Sequence, residues 1–395
     1  MPNLNFAEAF MPKNKWRKSV IYNGDRNMKN KETSNQRNLL ICIIIMVLCL
    51  PALSKEKTQK TSENDEKLAR ALAKRPEADL NKDGVLTMAE VQEYRNKSRQ
   101  DRSRQADKKT RTRPERPAKP EPTHADISYG PSKANMIDFW KVESRKPVPL
   151  FVFIHGGGFR GGSRKSINPE LLKQSLEAGI AVASIDYRLS GEALYPAQMH
   201  DSARAIQFIR SKAKQWNIDP NRVAAGGGSA GSGISQWLGF HEDMAKPRSK
   251  DSVARQSTRL TCVLALNMQS TYDPRQIRKI VPGNAYDHPA LKQLFGLPKD
   301  WDWDKETIDK KLDEGLKDVS PITHLTSDDP PVFALHNAAA ENPGNIHHPN
   351  FGKYLKKQMD SLGIECIHKM DTDFEPRNEQ YTAQVEFLKR HFGIE

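Results

Sequence analysis

From residue 148 onward the chain alternates between short, nearly unbroken apolar runs and longer stretches in which apolar residues recur every three or four positions. The runs 148–154, 180–185, 222–225, 261–266, 331–335 and 363–367 are bounded by Gly, Pro, Asp and Asn, and predict strands buried on both faces. Helical spacing fills the gaps. Asn168-Pro169 supplies a cap and a first-turn proline for a helix over 169–177, and Met199, Ala203, Ile206 and Ile209 share one face within 196–216. Strand and helix in alternation predict an α/β fold, a mostly parallel sheet covered by helices on both faces. The long, polar, Trp-bearing stretch 272–318 predicts a cap inserted above that sheet.

The first 147 residues follow another pattern. Twelve apolar residues from Leu39 to Leu50 come after Lys29, Lys31 and Arg37 and before Pro51-Ala52-Leu53-Ser54. A basic start, a short apolar stretch and small residues at Ala52 and Ser54 predict a secretory signal over 1–54, cleaved before Lys55, with Met28 as an alternative translation start. The run falls short of the ~20 residues needed to cross a bilayer, so the mature chain is expected to be exported, periplasmic or extracellular, without a transmembrane anchor. Two of the four cysteines, Cys42 and Cys49, lie in this signal. Cys262 and Cys366 sit in strand-like runs and are expected to be buried packing thiols.

Charge then changes the picture less than its sum suggests. The formal net charge is +13, but between Tyr94 and Pro120 eleven Lys or Arg face three Asp or Glu, a net of +8. That stretch lacks apolar periodicity and is rich in proline, so it cannot bury a face. With no aromatic beyond Tyr94 for stacking, it does not suit nucleic acid, and anionic envelope polymers suit the same charges better. The organisation expected is a signal over 1–54, a helical module over 55–95, a basic linker over 96–124 and a large domain over 125–395.

The helical module carries a twelve-residue pattern from Asp79 to Glu90. Oxygen side chains fall at Asp79, Asn81, Asp83 and Thr87, Gly84 allows the sharp turn, the Val85 carbonyl completes the shell, and Glu90 can grip an ion with both oxygens. The spacing predicts a single EF-hand calcium loop. Because it is unpaired and Pro76 shortens the preceding helix, a weak structural site in the ~0.1–1 mM range is expected.

Two motifs carry the chemistry of the large domain. His155-Gly156-Gly157-Gly158-Phe159 follows the run 148–154, and its glycines let backbone N–H groups approach a developing oxyanion. Gly227-Gly228-Ser229-Ala230-Gly231 follows the run 222–225 and matches the G-x-S-x-G elbow, in which a strained strand-to-helix turn presents a serine hydroxyl. Together with Asp186-Tyr187-Arg188-Leu189, Tyr195-Pro196-Ala197-Gln198 and Asp219-Pro220-Asn221-Arg222-Val223, these segments resemble α/β-hydrolases of the hormone-sensitive-lipase-like and feruloyl-esterase-like groups. The resemblance covers roughly 125–395 and is strongest over 148–240. It implies hydrolysis of carboxylic esters, small or carbohydrate-linked, without a catalytic cofactor. It further implies Ser229 as nucleophile, the N–H groups of Gly157, Gly158 and Ala230 as oxyanion hole, and His155 as a loop-stabilising residue rather than the base.

The sequence departs from that family where the triad should close. An acid is expected after the next-to-last strand, where Ala340 stands with Glu341 beside it, and a histidine after the last, where Lys369-Met370-Asp371-Thr372-Asp373 has none. A serine needs a base, so three arrangements compete. In the first, the roles have exchanged loops, with His348 ahead of His347 as base and Asp373 ahead of Asp371 as acid. In the second, Glu341 keeps the acid role and orients one of the two histidines. In the third, the catalytic site has decayed and the domain only binds a ligand.

Overall fold

The computed structural model describes residues 60–98 and 119–395. The signal, its cleavage point and most of the basic linker lie outside the described residues. The chain divides into two compact units, 1–112 and 113–395.

In the first unit, α1 (Glu66–Lys74) starts where the Asp65 side chain accepts from the N–H groups of Lys67 and Leu68. A 3-10 turn (Pro76–Ala78) leads into the loop at Asp79, and a second helix, α2, runs over 88–98. Leu68, Ala78 and Leu86 form the small buried core. Thr61 bridges Thr87 in antiparallel fashion and Ser62 N–H donates to the Leu86 carbonyl at 2.8 Å. The chain's own preceding segment therefore covers the loop edge.

The second unit is built on an eight-stranded sheet ordered β1-β2-β4-β3-β5-β6-β7-β8. Its strands are β1 (His124–Ser128), β2 (Met136–Trp140), β3 (Val148–Ile154), β4 (Ala181–Ile185), β5 (Ile218–Gly228), β6 (Val263–Leu266), β7 (Val332–His336) and β8 (Cys366–Met370). Strand β2 pairs antiparallel with both β1 and β4, and every other pairing is parallel. Every residue of β3 and β4 is buried, as a two-faced sheet requires. This order, with helices α3 (Pro169–Glu177), α4 (Ala197–Ser211), α5 (Ala213–Trp216) and α6 (Ala230–Phe240) crossing between strands, is the α/β-hydrolase fold. Between β6 and β7 lie α7 (Pro274–Ile280), α8 (Pro289–Leu294) and α9 (Lys310–Asp318), where the cap was expected; α10 (Asn350–Ser361) and α11 (Glu379–Phe392) flank β8.

The structure corrects the sequence reading at three points. Strands β1 and β2 fall outside the six apolar runs, because the edge strand β1 is largely exposed and the buried β2 is interrupted by Asp138, which pairs with Arg164. The linker ends before residue 124: the Trp140 indole donates to the Pro120 carbonyl at 2.9 Å, so the segment just before β1 already belongs to the second unit. Strand β8 starts at Cys366 rather than 363, because Gly363 (φ +74°) and Ile364 close α10 with bonds back to Asp360 and Met359. Cys262 and Cys366 are both free and buried, and burial pushes the Cys366 thiol up to about 12.

Candidate active site

Ser229 stands between β5 and α6 with φ +52° and ψ −120°, in the left-handed half of backbone space where a non-glycine residue costs about 1–3 kcal/mol. The turn is held open by what its neighbours lack. A Cβ at Gly227 or at Gly231 would stand 1.9 Å from the Ile154 carbonyl oxygen of β3, so neither position admits any other residue without backbone movement. Behind the serine, α6 is buried along its whole length, with Ile234, Trp237 and Leu238 in the core.

The loop after β3 approaches the same point. Gly157 (φ +105°) and Gly158 (φ +61°) shape it. The N–H groups of Gly157, Gly158 and Ala230 donate to no protein acceptor among the described residues. His155 is fully buried beneath them: Nδ1 donates to the Gly156 carbonyl at 2.7 Å, the ring stacks on Tyr187 at 4.4 Å, and the Tyr187 hydroxyl donates to the His155 carbonyl at 2.9 Å. Arg164, paired with Asp126, Asp138 and Asp186, fixes the far end of this loop.

His347 Nε2 lies 2.8 Å from Ser229 Oγ. This reverses the order expected for the two histidines. His348 turns away and its Nδ1 accepts from Asn350 N–H at 3.1 Å, capping the start of α10. The phase of the loop decides between them. Asn345 Oδ1 accepts from His347 N–H at 2.9 Å, and Gln269 Nε2 donates to the Ile346 carbonyl at 2.6 Å. From the cap side, Gly344 N–H donates to the Pro282 carbonyl at 2.7 Å and the Asn350 amide to the Ile280 carbonyl at 2.8 Å. Burial is the main cause that holds the His347 imidazole below its usual value, and the charge of His288 adds to it.

None of the three expected acids reaches this base. Asp373 is exposed and accepts from Met370 N–H at 2.9 Å, while Asp371 accepts from Ala338 N–H at 2.8 Å and lies 3.7 Å from Arg377. Glu341 pairs with Lys353 at 3.3 Å. Each carboxylate is committed elsewhere, Asp373 to its own turn, Asp371 to the loop after β7 and Glu341 to Lys353, and among the described residues no carboxylate bonds to the His347 ring. His336 and His368 meet each other at 3.2 Å instead of the serine.

A small cavity of about 50 Å³ opens beside Ser229, walled by Phe159, Tyr272, Ile277, Leu291, Ile346 and Phe351, with Gly158 and Ala230 at its rim. Gln269 and His288 supply its polar edge, and no motif marked either of them in the sequence. The His288 Nδ1 accepts from Ala290 N–H at 3.2 Å, which fixes the ring as the start of α8.

The calcium-type loop has its own geometry. Gly84 takes φ +82°. Asp79 accepts from Lys82 and Gly84 N–H at 2.8 and 2.9 Å, and Asp83 from Val85 N–H at 2.8 Å. Asn81 Oδ1 accepts from Asp83 N–H at 3.0 Å, and Glu90 Oε2 takes the Thr87 N–H and hydroxyl. Glu90 Oε1 is buried with no protein partner, so the donor set fits an oxygen-binding cation.

Comparison with known proteins agrees with the fold. The chain is 26% identical over 215 residues to esterase LipC of Mycobacterium tuberculosis, covering 54% of this chain and 50% of that protein. It is 36% identical over 97 residues to carboxylesterase NlhH of the same organism, covering 25% of this chain and 30% of that protein. The chain thus spans half or less of the length of these relatives. Among solved structures, an acetyl ester-xyloside bifunctional hydrolase from Caldicellulosiruptor lactoaceticus superposes with a TM-score of 0.55 at 19% identity, covering 69% of this chain and 98% of that one. The family model BD-FAE matches residues 138–342, just over half of the chain, and reaches from the second strand across the oxyanion loop, the serine elbow and the cap: the chain belongs to the BD-FAE family.

Proposed function

We propose that this chain hydrolyses carboxylic esters with Ser229 as nucleophile and His347 as general base. The observation that carries the reading is the 2.8 Å contact between His347 Nε2 and Ser229 Oγ at a strained elbow. In the proposed reaction the hydroxyl attacks the ester carbonyl while His347 Nε2 takes its proton. The tetrahedral oxyanion is held by the N–H groups of Gly157, Gly158 and Ala230, at the positive end of α6. Collapse of the intermediate breaks the bond to the alcohol, to which His347 returns the proton. Water, deprotonated by the same imidazole, then releases the acid and restores the serine. A cavity of about 50 Å³ limits the acyl part to a few heavy atoms, acetyl being the model, with small alcohols and sugar hydroxyls both acceptable as leaving groups.

The test is turnover of 4-nitrophenyl acetate. Ser229→Ala and His347→Ala should each lower kcat/KM by at least ~1,000-fold, in line with other serine–histidine pairs, while His348→Ala should keep most of it. Full activity in His347→Ala overturns the assignment. The second reading is a binding domain with a hydrolase fold, favoured by one observation: no carboxylate orients His347. A folded native protein that never turns over an ester supports it.

The loop from Asp79 to Glu90 is proposed to bind one calcium ion through Asp79, Asn81, Asp83, the Val85 carbonyl, Thr87 and Glu90, on the strength of the buried, unpartnered Glu90 Oε1. Export is proposed from the apolar run 39–50, and attraction of the basic linker to an anionic envelope polymer from its net charge of +8. Among the described residues no helix is long and apolar enough to cross a membrane.

A further inference from the structure

Three metal-ligating side chains converge at the far end of the helix that begins at the nucleophile. His241 follows α6 as its cap, Asp318 ends α9, and His324 closes the 3-10 turn Pro321–Thr323. Ligand atoms of all three lie within 4.8 Å of one another. The group is separate from the site above, since twelve residues of helical rise put His241 roughly 18 Å from Ser229.

Hydrogen bonds around the group set the protonation that a metal requires. His241 Nδ1 lies 2.8 Å from the Glu242 carbonyl and His324 Nε2 lies 2.7 Å from the Asp318 carbonyl. A carbonyl oxygen only accepts, so each of these nitrogens carries the proton, and the other nitrogen of each neutral ring keeps its lone pair. The Tyr195 hydroxyl donates to Asp318 Oδ2 and so orients the carboxylate. The Trp237 indole packs against His241 at a tilt, with ring centres 4.2 Å apart, and donates to the Asp318 carbonyl at 2.7 Å, which holds both in place.

We propose that His241, Asp318 and His324 bind a divalent transition-metal ion of the zinc class and so tie the end of α6 to the end of the cap. Two imidazoles and one carboxylate suit zinc, whereas calcium and magnesium ask for oxygen donors throughout. Zinc bonds of about 2.0–2.1 Å place ligand atoms about 3.4 Å apart, so the three side chains close by ~1 Å around the ion.

The experiment uses the full chain without a polyhistidine tag, saturated with calcium, and two probes: Zn²⁺ by calorimetry and Co²⁺ by its visible absorption. The expected result is one Zn²⁺ per chain, strong four-coordinate Co²⁺ bands and a Tm that rises with zinc. His241→Gln combined with His324→Gln should weaken binding by at least ~100-fold, because even partners outside the ligand shell are worth 10–100-fold. Should the double variant fail to fold, His324→Gln alone keeps a donor for the Asp318 carbonyl and should lose the Co²⁺ bands while keeping the metal-free Tm. Undiminished binding in a folded variant, no binding of either ion by the native chain, or zinc that inhibits ester hydrolysis in step with its binding (placing it on His347) overturns the proposal.

Discussion

A buried imidazole is worth more as a base when it stays neutral, and burial gives His347 that property. Its folded value is depressed below ~6.5, so the neutral, proton-accepting form is lost only as pH falls through that lower value. The acid limb of kcat/KM for 4-nitrophenyl acetate should therefore lie below pH 6.5, with a plateau at neutral pH. A limb centred above 6.5 would mean that a charged neighbour stabilises the imidazolium, against the geometry described. At this scale the sequence exposed Ser229 and its glycines, because the elbow has a fixed local spacing even though the backbone that excludes a side chain at Gly227 and Gly231 belongs to β3. It could not choose between His347 and His348. That choice rests on Asn345, Gln269 and Pro282, and the last two are remote in sequence. The acids at Asp371 and Asp373 were misread for a related reason, since a carboxylate that holds its own turn or a neighbouring loop looks the same in sequence as one that points at a base.

Elements succeed or fail here by how closely backbones approach. Helix α6 can begin at Ser229 only because Gly231 lets the first turn rest on the Ile154 carbonyl, where a Cβ would stand at 1.9 Å. Gly231→Ala should destabilise the domain by about 1–3 kcal/mol, the usual range for overpacking, and should reduce turnover with it. Gly161→Ala, whose Cβ meets nothing within 4 Å, should stay within ~0.5 kcal/mol of the parent. Urea unfolding of both variants decides the point, and equal stabilities would show that the elbow tolerates a side chain. The central parallel strands were legible as apolar runs because both faces are buried. Strand β1 was not, because its residues mostly face solvent and its sequence, HADIS, lacks a run.

For the whole molecule, the division into two units separates two kinds of chemistry. Asp79→Ala and Glu90→Ala should each abolish calorimetric calcium binding, and both should leave ester turnover nearly unchanged, because no residue of the loop belongs to the hydrolase unit. Parallel loss of both activities would show that the units act as one. The α/β class, the cap and the elbow could be read in advance from periodicity and spacing, whereas the cavity and the union of serine with His347 required distant segments to meet.

The loop that carries His347 is suspended between two supports, Gln269 after β6 on one side and the Pro282 and Ile280 carbonyls of the cap on the other. Lifting the cap to admit a substrate leaves that loop tethered on one side only. On the proposed mechanism admission and arming would then be a single event: the pocket would be reactive with its roof seated and idle with it raised, and an ester too bulky to let the roof down would bind without being cut.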